Sequence, residues 1–209
     1  MTVMPKSHES AVSPTEPTTR LAALVVRRGC SLLVRITSPK RLAMHFVHQA
    51  DIRQAADSAA AEHRRRILAR LPGAEIHHVG ATSVPGALTK GDVDLAVRVD
   101  PPEFLTSSVE LGCLYAVHQP ENWTATYASF SDPEAADPPV GVQLVVRESA
   151  DDLLFVALRD LLRSDPELLA AYNDLKREHE GATHDDYTDA KERFWEPVLA
   201  RLREPGAHS

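Results

Sequence analysis

Two aspartates, Asp92 and Asp94, stand two positions apart in the run Asp-Val-Asp-Leu-Ala-Val-Arg-Val. Alternate residues of a β-strand share a face, so both carboxylates are expected to project the same way. Side-by-side carboxylates repel unless a cation lies between them, and a hard divalent ion, Mg²⁺ or Mn²⁺, is the usual partner. Upstream, Gly80-Ala81-Thr82-Ser83 follows Glu75–Val79, which reads as a short strand. A strand feeding a helical turn offers an anion unpaired backbone N–H groups and the positive end of a dipole. Gly80 allows close approach, and the Thr82 and Ser83 hydroxyls add donors. Lys90 reads either as a surface lysine or as a phosphate contact. A phosphate cradle beside metal-binding carboxylates is what phosphoryl transfer requires. The nucleotide-binding phosphate loop is excluded, because Ala87 rather than a lysine follows Gly86, and no Gly-x-Gly-x-x-Gly occurs.

Plainer readings stand beside these. Asp92 and Asp94 could face solvent, and Thr82-Ser83 could simply cap the turn. His77 and His78 are adjacent on a strand, point to opposite faces and cannot chelate together, which leaves His78 a structural role at the site's edge. His179, Glu180, His184 and Asp185 match no standard metal spacing and read as a solvated turn. Trp123 is expected in packing, and Cys113 is expected to be a buried, inert thiol.

The elements that must position these groups follow from periodicity. Residues 50–71 are rich in helix formers, with Ile52, Ala56, Ala59, Ala60, His63, Ile67 and Leu71 at helical spacing, and Pro72-Gly73 stops them. Strands are expected at 75–79, 92–99, 114–119, 124–130 and 140–146, with a short helix at 103–111 and a solvated loop at 131–139. Helices are expected at 153–164, 166–179 and 185–202. A helix, then mostly antiparallel strands, then a run of helices fits an α+β fold: a mixed or antiparallel sheet flanked by helices, with a C-terminal helical segment.

Of the 209 residues, 43% are hydrophobic and 25% charged, enough for one ordinary domain with a core. Residues 1–43 carry seven Lys/Arg against two Asp/Glu, a net +5, so the overall −7 leaves −12 on the rest. A domain that acidic is ill suited to gripping a nucleic-acid backbone over a broad face. Residues 1–43 read as a disordered or poorly integrated extension, 44–204 as the domain and 205–209 as a tail. Glu9 and Glu16 argue against a transit peptide, and an upstream misassigned start would account for the break at Met44. Two cysteines in no metal or redox spacing point to a reducing cytoplasm, and no apolar run is long enough to span a membrane.

With these residues in view, the chain resembles the nucleotidyltransferase superfamily, whose signature joins a Gly-small pair to an Asp-x-Asp after nine to thirteen residues. The fuller wording His78-Val-Gly-Ala-Thr-Ser-Val-Pro-Gly86 with Lys90 is similar to the GrpB family within it. Arg159-Asp160-x-Leu-Arg163-x-x-Pro166, Tyr172-x-x-Leu175-Lys176 and Tyr187-x3-Lys191-x-x-Phe194 resemble that family's helical tail. The resemblance covers roughly residues 46–200. It implies a nucleotidyltransferase-like fold and a Mg²⁺-nucleotide site over Gly80–Asp94, with Arg159, Lys176 and Lys191 as nucleotide contacts. The chain departs from the pattern twice. GrpB members commonly carry an apolar residue where Asp92 stands. Active members of the superfamily place a third carboxylate on a neighbouring strand, where this chain has Gln143.

Two functions follow as expectations. One is an enzyme moving a nucleoside monophosphate from an NTP to an unknown acceptor with Mg²⁺ or Mn²⁺, using Asp92 and Asp94. The other is a nucleotide-binding or regulatory module with little or no turnover. Gln143 reads either as an outward residue on a half-exposed strand or as an inward one whose amide donates to an aspartate.

Overall fold

The computed structural model describes residues 43–132 and 137–203. The extension expected over residues 1–43 lies, but for its last residue, outside these, as do the tail 205–209 and residues 133–136 of the expected loop.

In chain order the elements are β1 (Val47–His48), α1 (Gln49–Leu68), β2 (Glu75–Val79), β3 (Leu88–Thr89), β4 (Val93–Val99), α2 (Phe104–Gly112), β5 (Ala116–His118), β6 (Tyr127–Ser131), β7 (Val140–Val146), α3 (Ala150–Ser164), α4 (Pro166–Glu178) and α5 (His184–Arg203). A 3₁₀ turn at Ala81–Ser83 follows β2. The main sheet runs β2-β4-β7-β6-β5, and β1 pairs with β3 in a small separate ribbon. The main sheet is antiparallel except at its centre, where β4 and β7 run parallel. This is the α+β architecture expected. Among the described residues no helix is long and apolar enough to cross a membrane.

The strands β2 and β7 match the expected limits. The other three begin later than expected, β4 by one residue, β5 by two and β6 by three. Leu114 and Tyr115 keep bonding back to Leu111 and so extend the turn out of α2, while Thr124 and Thr126 close a turn of their own before β6.

Period-two alternation divides the sheet into two faces. Val93, Leu95, Val97 and Val99 of β4, with Val142 and Leu144 of β7, pack against Ala56, Ala60 and Ile67 of α1 and Leu111 of α2. These helical residues recur at three- and four-residue steps, so α1 needs one apolar stripe and leaves its other side in water. The opposite face carries Asp94, Arg98 and Gln143. There α3 docks through Arg98, whose Nε and Nη2 donate to the buried Asp152 carboxylate at 2.5 and 2.7 Å. The helix is capped by Ser149, whose hydroxyl oxygen accepts from the Asp152 N–H, and α4 by Asp165, which accepts from Leu168 N–H with Pro166 at the first helical position. A second core of Val84, Ala87, Leu162, Tyr172 and Trp195 joins the loop after β2 to α3, α4 and α5. The site therefore lies where the polar sheet face meets the C-terminal helices.

Candidate functional site

The loop between β2 and β4 is held by side chains from distant elements. Gln49 Nε2 donates to Thr82 O at 3.1 Å, Arg163 donates to Ser83 O through Nε and Nη2, and Asn173 Nδ2 donates to Gly86 O at 2.9 Å. The other half of that amide, Asn173 Oδ1, accepts from Leu88 N–H, and Lys176 Nζ donates to Leu88 O at 2.5 Å. Backbone groups that no strand pairs are thus satisfied from α1, α3 and α4, and the loop is fixed in shape.

The hydroxyls proposed as phosphate donors are engaged within the loop. Thr82 is fully buried and its Oγ1 donates to Asp92 O at 3.0 Å while meeting His78 Nε2 at 3.0 Å; Ser83 Oγ donates to Gly80 O at 2.7 Å. The turn's own bonds use the N–H groups of Ser83 and Val84, so its leading amides, Ala81 and Thr82, lie outside that ladder. His78 is a structural residue at the edge of the site, as expected.

Asp94 opens β4, and Asp92 lies just before the strand rather than on it. Gly80 and Gly141 flank Asp94 closely. A Cβ on Gly80 would lie 2.4 Å from Asp94 Oδ2, and one on Gly141 would lie 3.1 Å from Oδ1. Gly80 therefore makes room for the aspartate itself; close approach of a ligand had been the expectation. Gln143 points inward and its Nε2 donates to Asp94 Oδ1 at 3.1 Å. Its Oε1 is buried, and no donor among the described residues reaches it. Glu148, the first acid after β7, sits exposed beyond the end of that strand.

Three lysines complete the site. Lys90 Nζ pairs with Asp92 Oδ2 at 3.1 Å where the site opens to solvent, the two side chains being 37% and 35% exposed. Lys176 is 2% exposed and its Nζ lies 3.9 Å from the centre of the Tyr172 ring. Lys191, from α5, feels the charges of Lys90, Asp94 and Asp92. Tyr172 and Tyr187 hydroxyls meet at 3.4 Å beneath them.

Burial and the Asp92 charge push the Asp94 carboxyl up to about 7, against the pull of Lys90, the Gln143 bond and Lys191. Burial, with Lys90 and Lys191 nearby, pulls the Lys176 ammonium down to about 7, although Asp92 opposes this. Lys191 is lowered for the same leading reason. Burial also acts against charge on Lys90, but Asp92 outweighs it and raises that lysine.

Other expected residues fall as follows. Arg159 donates to Asp160 through Nε and Nη2 and to His78 O through Nη1, so it ties α3 to β2 beside the loop. Trp123 is packed in the core, as expected. Among the described residues no group of three or more His, Cys, Asp or Glu is placed to hold a metal ion; His179 Nδ1 bonds Leu175 O and Glu180 pairs with His45. Cys113 is a correction: it is exposed, because at the end of α2 its neighbours Leu111 and Tyr115 take the core positions. Gly141, Gln49 and Asn173 were missed. A lone glycine or a polar residue in a helical run carries no local signal of such a role.

Two surface hollows, of about 610 Å³ along the solvent side of α1 and about 320 Å³ between Leu71 and Pro102, contain none of these residues.

Comparison with known proteins places the chain. A UPF0157 protein of Vibrio cholerae is 31% identical over 158 residues, covering 76% of this chain and 83% of that one. Another UPF0157 protein, of Streptomyces coelicolor, is 31% identical over 137 residues, 62% of this chain and 69% of that one. The crystal structure of conserved protein GrpB from Enterococcus faecalis superposes with a TM-score of 0.53 at 17% identity, covering 71% of this chain and 90% of that one, a likeness of fold. The poly(U) polymerase Cid1 with MgGTP bound superposes at a TM-score of 0.42 and 14% identity, over 75% of this chain and 46% of that one, too weak a likeness to assign a fold. The model of the GrpB protein family matches residues 47–201, and the chain belongs to that family.

Proposed function

We propose that the seam between the sheet and the C-terminal helices binds a nucleoside triphosphate as its Mg²⁺ or Mn²⁺ complex and transfers the nucleoside monophosphate to an acceptor, in the cytoplasm. One observation supports this above the others: acidic and basic groups lie together at the seam, and desolvation opposes the charge on Asp94 on one side and on Lys176 and Lys191 on the other. Asp94 is driven toward its neutral form next to Asp92, and Lys176 and Lys191 toward theirs next to Lys90. A ligand presenting a cation to the aspartates and anionic oxygens to the lysines relieves both penalties, and a metal-bound polyphosphate is such a ligand. Two carboxylates beside an unpaired amide oxygen are hard-oxygen donors of the kind such an ion takes, so the residues present fit it. A divalent ion held by Asp92 and Asp94 would polarise a phosphoryl oxygen for attack.

The chain's own residues do the rest in this reading. Lys90 and Lys191 neutralise phosphate charge as the leaving group departs, and Lys176, fixed against Tyr172 and Leu88, holds the loop's shape at neutral pH. The amides of Ala81 and Thr82 face the anion. Before the metal complex binds, Gln143 holds one oxygen of Asp94 in place.

A second reading, a nucleotide-binding module with little turnover, is favoured by Gln143 itself. Its place beside Asp94 on the neighbouring strand is where a third acid would sit, and an amide is no base. Incubation with α-labelled NTPs, Mg²⁺ or Mn²⁺ and a metabolite pool separates the two. A labelled adduct with pyrophosphate release, abolished by Asp94→Asn, supports the transferase. Metal-dependent NTP binding without an adduct supports the module. Calorimetry showing equal NTP binding with and without metal overturns the assignment of Asp92 and Asp94 as the metal site.

A further inference from the structure

We infer that Gln143 is a cation-responsive ligand, its side-chain amide donating to Asp94 when no cation is bound and turning its oxygen onto the cation when one is. The inference rests on the reading of Asp92 and Asp94 as a cation site.

On β7, Gln143 pairs with Ala96, two residues along from Asp94, whose own partner is Gly141. The missing side chain at Gly141 opens the lane between them: a Cβ there would lie 3.2 Å from Gln143 Nε2 and 3.1 Å from Asp94 Oδ1. Through this lane the amide reaches back and makes one hydrogen bond, Nε2 to Asp94 Oδ1 at 3.1 Å. The other end of the amide, Oε1, is buried without a donor. Buried amide oxygens are ordinarily paired, because leaving one bare costs about 1–3 kcal/mol. Nothing on the far side therefore holds the amide in its orientation. A half-turn exchanges oxygen and nitrogen and gives up only the bond to Asp94.

That bond has a substitute when a cation is present. Two oxygens on one octahedral hard cation, with bonds of about 2.1 Å, lie about 3 Å apart, close to the 3.1 Å between the amide end and Asp94 Oδ1. The turned amide then gives Asp92, Asp94 and one neutral oxygen, so two negative charges balance one divalent ion. A third carboxylate would instead add like charge beside an Asp94 that Asp92 already pushes toward its neutral form. The expected site holds one cation.

The test is Mn²⁺ titration of the full chain, followed by electron paramagnetic resonance, on the wild type, Asp94→Asn and Gln143→Met. A parallel measurement follows the Gln143 side-chain NH₂ resonance on adding Mg²⁺. The expected result is one Mn²⁺ per chain, lost in Asp94→Asn and weakened about tenfold or more in Gln143→Met, with a Mg²⁺-dependent shift of the Gln143 NH₂ signal. Should Gln143→Met not fold, Gln143→Asn keeps the amide but shortens its reach, and the same weakening is expected. Wild-type affinity in the Gln143 variant with binding still lost in Asp94→Asn overturns the role of Gln143 and leaves the cation site standing. Absence of Mn²⁺ binding to the wild type overturns the cation site itself, and the inference with it.

Discussion

Replacing Gly80 by alanine tests whether Asp94 is held as tightly as the structure has it. Gly80 adopts φ 70° and ψ −176°, a conformation nearly confined to glycine, and forcing alanine into it costs about 1–3 kcal/mol. The new Cβ would also lie 2.4 Å from Asp94 Oδ2 and 3.2 Å from its Cβ and Cγ, so the carboxylate must give way. Moving it strains or breaks the bond from Gln143, and a hydrogen bond to a charged group contributes about 1.5–3 kcal/mol. Together these predict a loss of about 2.5–6 kcal/mol, and at roughly 2–4 °C per kcal/mol for a domain of this size, a Tm lower by about 5–24 °C. Backbone strain and steric conflict separate in a double-mutant cycle with Asp94→Ala, read by urea unfolding. Without the carboxylate the backbone strain and a 3.2 Å contact with the remaining Cβ are left, but the 2.4 Å conflict is gone, so the two changes should couple by about 1–3 kcal/mol. If Gly80→Ala costs the same in both backgrounds, Asp94 does not crowd Gly80 and the site geometry argued here is wrong.

Other outcomes follow from the same structure. Asp152→Ala strands the Arg98 guanidinium and the Glu148 N–H it serves; with Arg98 still paired to Glu75, a loss of about 2–4 kcal/mol is expected in urea unfolding at unchanged m-value. Asn173→Ala removes both anchors of the Gly86–Leu88 segment and leaves a buried N–H bare, a loss of about 2–3 kcal/mol in the same assay. The Asp94 carboxyl is raised in the fold, so its ionisation opposes folding: without a cation, stability falls as pH rises from about 4 through about 7. A bound cation needs the ionised form, so Mn²⁺ affinity should climb over that range and level off above it, with the slope erased in Asp94→Asn. Burial lowers the Lys176 ammonium, so the wild type gains stability as pH rises from about 7 toward 10; in Lys176→Met that gain is absent, and Tm of the variant minus that of the wild type should fall over this range.

What was legible in the sequence was local, and what was not depended on which surfaces meet. The limits of β2 and β7 show in the chain because alternation and flanking turn residues lie within a few positions of each other. The inward side of Gln143 was one of two readings, and the choice between them turned on β7 lying beside β4, a pairing across nearly fifty residues that no periodicity encodes. Lys176 is the sharper case. A lysine on a helix faces water by default, yet here its ammonium sits over the Tyr172 ring and closes a carbonyl on the loop after β2, eighty-eight residues away. Thr82 and Ser83 show the converse: their hydroxyls were visible as donors, but the turn that brings them to the site also uses them to hold itself together. In the proposed function the loop's motif carries the chemistry, while side chains from distant elements, Gln49, Arg163, Asn173 and Lys176, give it a shape. Loss of any one clamp should loosen the anion cradle while leaving Asp92 and Asp94 chemically intact, so in the proposed function affinity for the nucleotide is set as much by α4 as by the loop itself.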